Sequence, residues 1–208
     1  MSLRRPDAFN RQQDFLWAAV TERDLDLVRK LVQQQCVDVN FIAPDGWVKV
    51  AGSGGKSLLH QAAWMGDLDI FKVLVEAGAD VCEPRRRNWA RAKGFTAFHH
   101  ACFYNRVPIA EYCLAQGADP NIVGEDGFTP LHLAAKFGYD ELAALLLLRG
   151  ARGDIVNRNG KVPWEIAKTE ELRHQLRQAT IAQAAAVSDG TMETKKPTVA
   201  LNRSTRPW

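Results

Sequence analysis

The chain has 208 residues, 46% of them hydrophobic and 25% charged, with 27 Lys and Arg set against 24 Asp and Glu. That balance belongs to an ordinary soluble globular protein and excludes wholesale disorder or a fibrous class. A formal charge of +3 points to no partner by itself.

The first residues, Met1 to Asp7, hold two arginines with no apolar run behind them, so no secretory signal is expected. Phe15-Leu16-Trp17-Ala18-Ala19 and then Leu25 to Val32 carry the spacing of a first helix pair. Ser57-Leu58-Leu59-His60-Gln61-Ala62-Ala63 opens a second pair. Thr96-Ala97-Phe98-His99-His100-Ala101-Cys102 opens a third, and Thr129-Pro130-Leu131-His132-Leu133-Ala134-Ala135 a fourth. Each is followed by a glycine segment: Ala77-Gly78-Ala79-Asp80, Gln116-Gly117-Ala118-Asp119 and Arg149-Gly150-Ala151-Arg152. Thr96 to Thr129 and Gly117 to Gly150 are both 33 residues, whereas Ser57 to Thr96 is 39. Val162-Pro163-Trp164-Glu165-Ile166-Ala167 falls 33 residues after Thr129 and lacks the histidine.

Within the copies the apolar residues keep a helical period, as in Leu68, Phe71, Leu74 and Val75, or Leu142, Leu145 and Leu146. Helices of roughly ten residues are marginal alone, so each pair must lean on its neighbours. Gly78, Gly117 and Gly150 stand where a second helix must stop in a left-handed turn. The longest candidate run, Leu145 to Leu148, is far short of the ~20 residues of a membrane span. Cys36, Cys82, Cys102 and Cys113 include no C-x-x-C pair and read as reduced thiols.

The recurring T-P-L-H-x-A turn, most complete at Thr129 to Ala134, and the 33-residue period resemble the ankyrin repeat. The resemblance implies an all-α, helix-turn-helix repeat solenoid of about five units, with degenerate end copies as caps. Its expected organisation is an extension over residues 1–10, the repeat array over 11–178, and a flexible extension over 179–208, which is rich in Ala, Thr, Ser and Pro.

Several residues look chemical. His60, His99 and His132 recur at one register, about 10 Å apart in a helical stack, too far for one metal ion. Each is expected to hydrogen-bond the backbone of a neighbouring turn. Gly52-Ser53-Gly54-Gly55-Lys56-Ser57 resembles a phosphate loop, but Val50 stands where the full signature needs glycine, and Ser57 is accounted for as a repeat turn residue. Nucleotide binding is therefore the weakest alternative, and the sequence argues for neither catalysis nor a metal or cofactor.

Departures from the repeat mark the candidate contact surface. One insertion, Phe41 to Gly55, carries Trp47. A second, Val81 to Gly94, carries Trp89 and the cations Arg85, Arg86, Arg87, Arg91 and Lys93. Residues 82–94 thus hold five cations and one carboxylate, a net +4. Such inserted finger loops project from one side, often the binding side. The basic loop suits an acidic or phosphorylated protein partner, with nucleic acid a weaker match, or else is ordinary solvated surface. In ankyrin-like repeats the residues just after the paired alanines face the concave groove. Here these are Trp64-Met65, Phe103-Tyr104 and Lys136-Phe137. One member of each pair is expected to pack between repeats, with Trp64 and Phe103 left for contact.

The expected function is a non-catalytic protein-binding adaptor or scaffold. It is expected in the cytoplasm, with nuclear, cytoskeletal or ciliary placement as variants. The main alternative is a structural component of a cytoskeletal or ciliary assembly that offers an acidic surface.

Overall fold

A computed structural model describes residues 9–34, 37–41, 56–82 and 94–188. Four helix pairs follow one another: α1 (Phe9–Glu22) with α2 (Leu25–Gln33), and α3 (Leu58–Met65) with α4 (Leu68–Glu76). Next come α5 (Ala97–Phe103) with α6 (Val107–Ala115), and α7 (Pro130–Phe137) with α8 (Asp140–Leu148). A 3-10 turn (Pro163–Ile166) and a long helix, α9 (Glu170–Ser188), close the array. No strand occurs among the described residues. First helices stack on first helices, in the order α1, α3, α5, α7, and second helices likewise.

The helix boundaries follow from local chemistry. Asp24 and Asp67 cap α2 and α4, each carboxylate accepting from an amide of the first turn (Leu27 N, 2.9 Å; Ile70 N, 3.1 Å). After the second helices, Gly78, Gly117 and Gly150 take left-handed backbone (φ 93°, 87° and 88°), as the repeat pattern requires. The apolar period becomes one continuous core: Leu16, Val28, Leu59, Phe71, Phe98, Ile109, Leu131, Leu142 and Leu172 are all buried. Each such side chain contributes roughly 2 kcal/mol of burial. Ala62-Ala63, Ala101-Cys102 and Ala134-Ala135 are buried where α3, α5 and α7 stack, small enough to let the helices approach. Cys102 and Cys113 are buried free thiols, and desolvation raises both, so they stay protonated.

The recurring histidines are linchpins between repeats. The backbone N–H of each N-cap donates to the imidazole Nδ1: Ser57 to His60 (3.3 Å), Thr96 to His99 (3.3 Å), Thr129 to His132 (3.2 Å). The N-cap hydroxyls also sit 2.8–2.9 Å from the same nitrogens. Nε2 of each ring lies against a carbonyl of the following repeat: Phe95 O at 2.9 Å, Ile122 O at 3.2 Å and Lys161 O at 3.0 Å. A carbonyl only accepts, so Nε2 carries the proton and Nδ1 accepts. In the fifth copy Glu165 replaces the histidine, its carboxylate accepting from Val162 N at 3.0 Å. A carboxylate serves the local cap but has no proton to pass on to a further repeat.

The chain departs from the expected boundary at its far end. Gln178 lies inside α9, which runs on to Ser188. Gln183 explains the continuation: Nε2 donates to Ala151 O (2.8 Å), and Oε1 accepts from Gly153 N (3.2 Å). Residues 179–188 thus continue the helix, tied to the 151–153 segment through Gln183. At the other end, α1 already includes Phe9 and Asn10.

Candidate protein-binding face

The C-terminal ends of α3, α5 and α7 line up along the stack and bring together four of the expected contact residues. Trp64 ends α3 beside Met65, with 37% of its surface exposed. Tyr104 caps α5 and is 36% exposed. Phe103 and Phe137 are half-buried, and Phe103 packs against the core. The order within the second pair is therefore the reverse of that expected. Phe103 is the residue wedged between repeats, and Tyr104, one position beyond the helix, is the one in solvent.

The rings form a connected chain across three repeats. Trp64 meets Tyr104 edge-to-face at 6.4 Å, and Tyr104 meets Phe103 at 4.9 Å. Phe103 meets Phe137 at 4.8 Å, and Phe137 stacks on Tyr139 at 5.7 Å. Edge-to-face contacts set the positive rim of one ring against the negative face of the next and lock their mutual orientation. Polar bonds pin the same ends. Tyr139 Oη donates to Phe103 O (3.4 Å), Arg106 Nη2 to Trp64 O (3.3 Å) and Arg23 Nη2 to Met65 O (3.0 Å). Two guanidiniums therefore sit on the carbonyl end of α3, where the helix dipole is negative.

Lysines crown both ends of the ring chain. Lys56 Nζ lies 5.5 Å from the centre of the Trp64 ring. Lys136 Nζ lies 5.1 Å from that of Phe128 and 5.8 Å from that of Phe137. These are cation–π distances. Phe95, Phe128, Lys56 and Tyr139 were not among the residues expected to form the face. The first three share a signal visible in the sequence, since each stands one residue before the cap of a first helix.

Trp47, Arg85, Arg86, Arg87, Trp89 and Arg91, along with the glycine-rich segment 51–55, lie outside the described residues. The histidines expected to be structural have both ring nitrogens engaged in the linkages described above. Burial pushes His99 down to about 4 and also lowers His132, so these rings are held neutral in the fold. No helix among the described residues is long and apolar enough to cross a membrane.

Stacked helix pairs, histidine-linked caps and glycine stops at the 33-residue period define a repeat protein of the ankyrin type. Family models agree: "Ankyrin repeats (3 copies)" matches residues 82–159 and "Ankyrin repeat" matches 54–86. The chain belongs to the ankyrin repeat family, whose repeats are protein-binding modules. It is similar to protein phosphatase 1 regulatory subunit 27 of Mus musculus, 29% identical over 107 residues, covering 51% of this chain and 60% of that one. It is also similar to palmitoyltransferase AKR1 of Eremothecium gossypii, 40% identical over 68 residues (32% of this chain, 9% of that protein). The E3 ubiquitin-protein ligase hecd-1 of Caenorhabditis elegans is 26% identical over 108 residues (52% and 3%). The match thus spans less than two thirds of each of these relatives.

Proposed function

We propose that this chain is a non-catalytic adaptor of the cytoplasm that holds a protein partner on the face built from Trp64, Tyr104, Phe103 and Phe137. The observation that carries the reading is the ring chain itself. Aromatic groups on three successive repeats are joined edge-to-face and still leave Trp64 and Tyr104 more than a third exposed. Rigid, half-exposed aromatics supply contact area at little entropic cost, which is why they dominate interface hot spots. Similarity to a phosphatase regulatory subunit supports an adaptor role. In this reading the repeats over 11–178, with the remainder of α9, form the binding unit, and Trp47, Trp89 and the cations Arg85, Arg86, Arg87 and Arg91 add contacts to the partner.

The test is capture of partners from lysate by the full chain and by a Trp64→Ala, Tyr104→Ala double variant. Loss of specific partners with an unchanged far-ultraviolet circular dichroism spectrum is the expected result. Equal capture of the same proteins by both forms overturns the reading. The cytoskeletal or ciliary alternative draws on the +4 segment 82–94. It requires filament co-sedimentation that collapses as ionic strength rises and on charge reversal at Arg85, Arg86 and Arg87.

A further inference from the structure

Four and eight residues after the first-helix caps Ser57, Thr96 and Thr129, the copies differ in a telling way. At these registers stand Gln61 and Met65, then His100 and Tyr104, then Leu133 and Phe137. Residues four apart are neighbours on a helix surface. Gln61, His100 and Leu133 are all buried, so Leu133 shows that an apolar side chain can fill the place. Gln61 is a primary amide only 1% exposed, and burying an amide costs free energy unless its polar atoms find partners. Its Nε2 donates to Met65 Sδ at 3.6 Å. A thioether is a weak acceptor, so a buried donor is matched here with a weak partner. Met65 is the last residue of α3, partly exposed and next to Trp64. Arg23 Nη2 donates to its carbonyl at 3.0 Å, which fixes the backbone at this point.

We infer that Met65 is a redox modification site, oxidised by a hydroperoxide to the sulfoxide, and that Gln61 is placed to receive the new oxygen. The consequence for partners rests on the adaptor reading and deepens it. The reaction balances with hydrogen peroxide alone. The sulfur lone pair attacks one peroxide oxygen and the O–O bond breaks. The other oxygen leaves as water, taking the proton of the transferred one. Sulfur loses two electrons and the peroxide gains them. Attack comes from the solvent side, and rotation about the flexible side chain then turns the oxygen toward the Gln61 amide. The sulfoxide oxygen is a strong acceptor, so the weak bond inside the helix gives way to a good one. At the same time an apolar group beside Trp64 becomes polar. The array is kept, and the Trp64 end of the aromatic face loses apolar contact. Cys82 is an exposed thiol and a competing target. Burial, with Asp80 and Asp119 nearby, pushes that thiol up and keeps it protonated, the unreactive form. Methionine sulfoxide is told apart from oxidised thiol because it is reversed by its own reductase.

The experiment treats the full chain with hydrogen peroxide and then dithiothreitol, and locates added oxygen by peptide mass spectrometry. Met65 is expected to take up one oxygen and to return to the thioether with methionine sulfoxide reductase. Thermal unfolding is compared before and after treatment for the parent, Gln61→Leu and Met65→Leu. Gln61→Leu supplies the residue that Leu133 provides at the same register. Oxidation is expected to leave the Tm of the parent unchanged or higher, and to lower that of Gln61→Leu by about 2 °C or more, because its sulfoxide lacks the internal donor. Partner capture by the parent is expected to fall about threefold or more on oxidation and to recover with the reductase, while Met65→Leu does not respond. Met65 left unoxidised, equal Tm shifts in the parent and Gln61→Leu, or capture unchanged by an oxidised Met65 overturns the inference. The adaptor reading is judged apart, by the Trp64→Ala, Tyr104→Ala variant. Where that variant still loses its partners, only the oxidation switch falls.

Discussion

Arg106 lies across Gly66: a Cβ added to that glycine would stand 2.6 Å from Nε and 2.7 Å from Cδ of the arginine. Gly66 ends α3 in left-handed backbone (φ 79°), and Arg106 begins the second helix of the next repeat while its guanidinium donates to Trp64 O. The absent side chain at one repeat is therefore what lets the next repeat clamp the end of the aromatic face. Gly66→Ala is expected to cost about 1–2 kcal/mol for the left-handed backbone, and more for displacing Arg106. Gly78→Ala, also at positive φ but with nothing within 4 Å, supplies the backbone cost alone. Urea denaturation of both variants checks the point, and equal losses would show that the Arg106 clamp contributes nothing.

Acid should loosen the stack through its histidines. His99 titrates near 4 in the fold because burial disfavours its charged form, whereas an unfolded histidine titrates near 6.5. A depressed value means the folded state binds the proton less readily than the unfolded one. The stabilisation is therefore complete above pH 6.5 and is lost as the pH falls from 6.5 through 4. The loss from this one ring is about 3 kcal/mol. His132 shifts in the same direction and adds to the slope. Denaturation between pH 7.5 and 4.5, with NMR titration of the His99 ring, measures it. A His99 signal that titrates near 6.5 in the native protein would sink the prediction.

The finger bases are tied by asparagine, except at one junction. Asn40 donates to Gly78 O (3.0 Å) and accepts from Asp80 N (2.8 Å). Asn121 repeats both bonds two repeats later, to Gly150 O (3.1 Å) and from Arg152 N (2.7 Å). Cys82 holds the same register between them. Its amide donates to Asp80 Oδ1 at 2.8 Å, as the amides of Asn40 and Asn121 do to Asp38 and Asp119. A thiol cannot make the asparagine bridge. Cys82→Asn should reach Gly117 O and Asp119 N, gaining about 1 kcal/mol and raising Tm by about 2–4 °C. An unchanged or lower Tm refutes this equivalence.

The second half of α9 is a structural part of the array. Replacing Gln183 by alanine removes both bonds to the 151–153 segment and leaves Ala151 O without the donor that reaches it from α9. A loss of about 1–2 kcal/mol is expected, read by thermal unfolding. A chain ended after Gln178 should lose more. If either variant unfolds like the parent, the helix beyond Gln178 adds no stability.

Much of this protein was legible from letters and spacing. The cap, the histidine three residues on and the glycine stop are local devices. The cap and the glycine stop act within one helix pair, and the histidine also reaches the repeat that follows, so a fixed spacing specifies all three. The role of His60, His99 and His132 followed for the same reason: a ring repeating at a fixed register in a stack meets the same neighbour each time. Tertiary structure decided what depends on contacts between repeats. Tyr104 rather than Phe103 faces solvent because Phe95 and Phe137, from different repeats, close around Phe103. Alpha-helical order beyond Gln178 combines an alanine-rich stretch of high helix propensity with a bond to a partner 32 residues away in sequence, Ala151, and only the second needs the fold. The lysines at the two ends of the aromatic face belong to different registers. Which rings they meet, Trp64 for Lys56 and Phe128 and Phe137 for Lys136, was decided by the fold, because cation–π attraction depends on through-space distance and not on position along the chain.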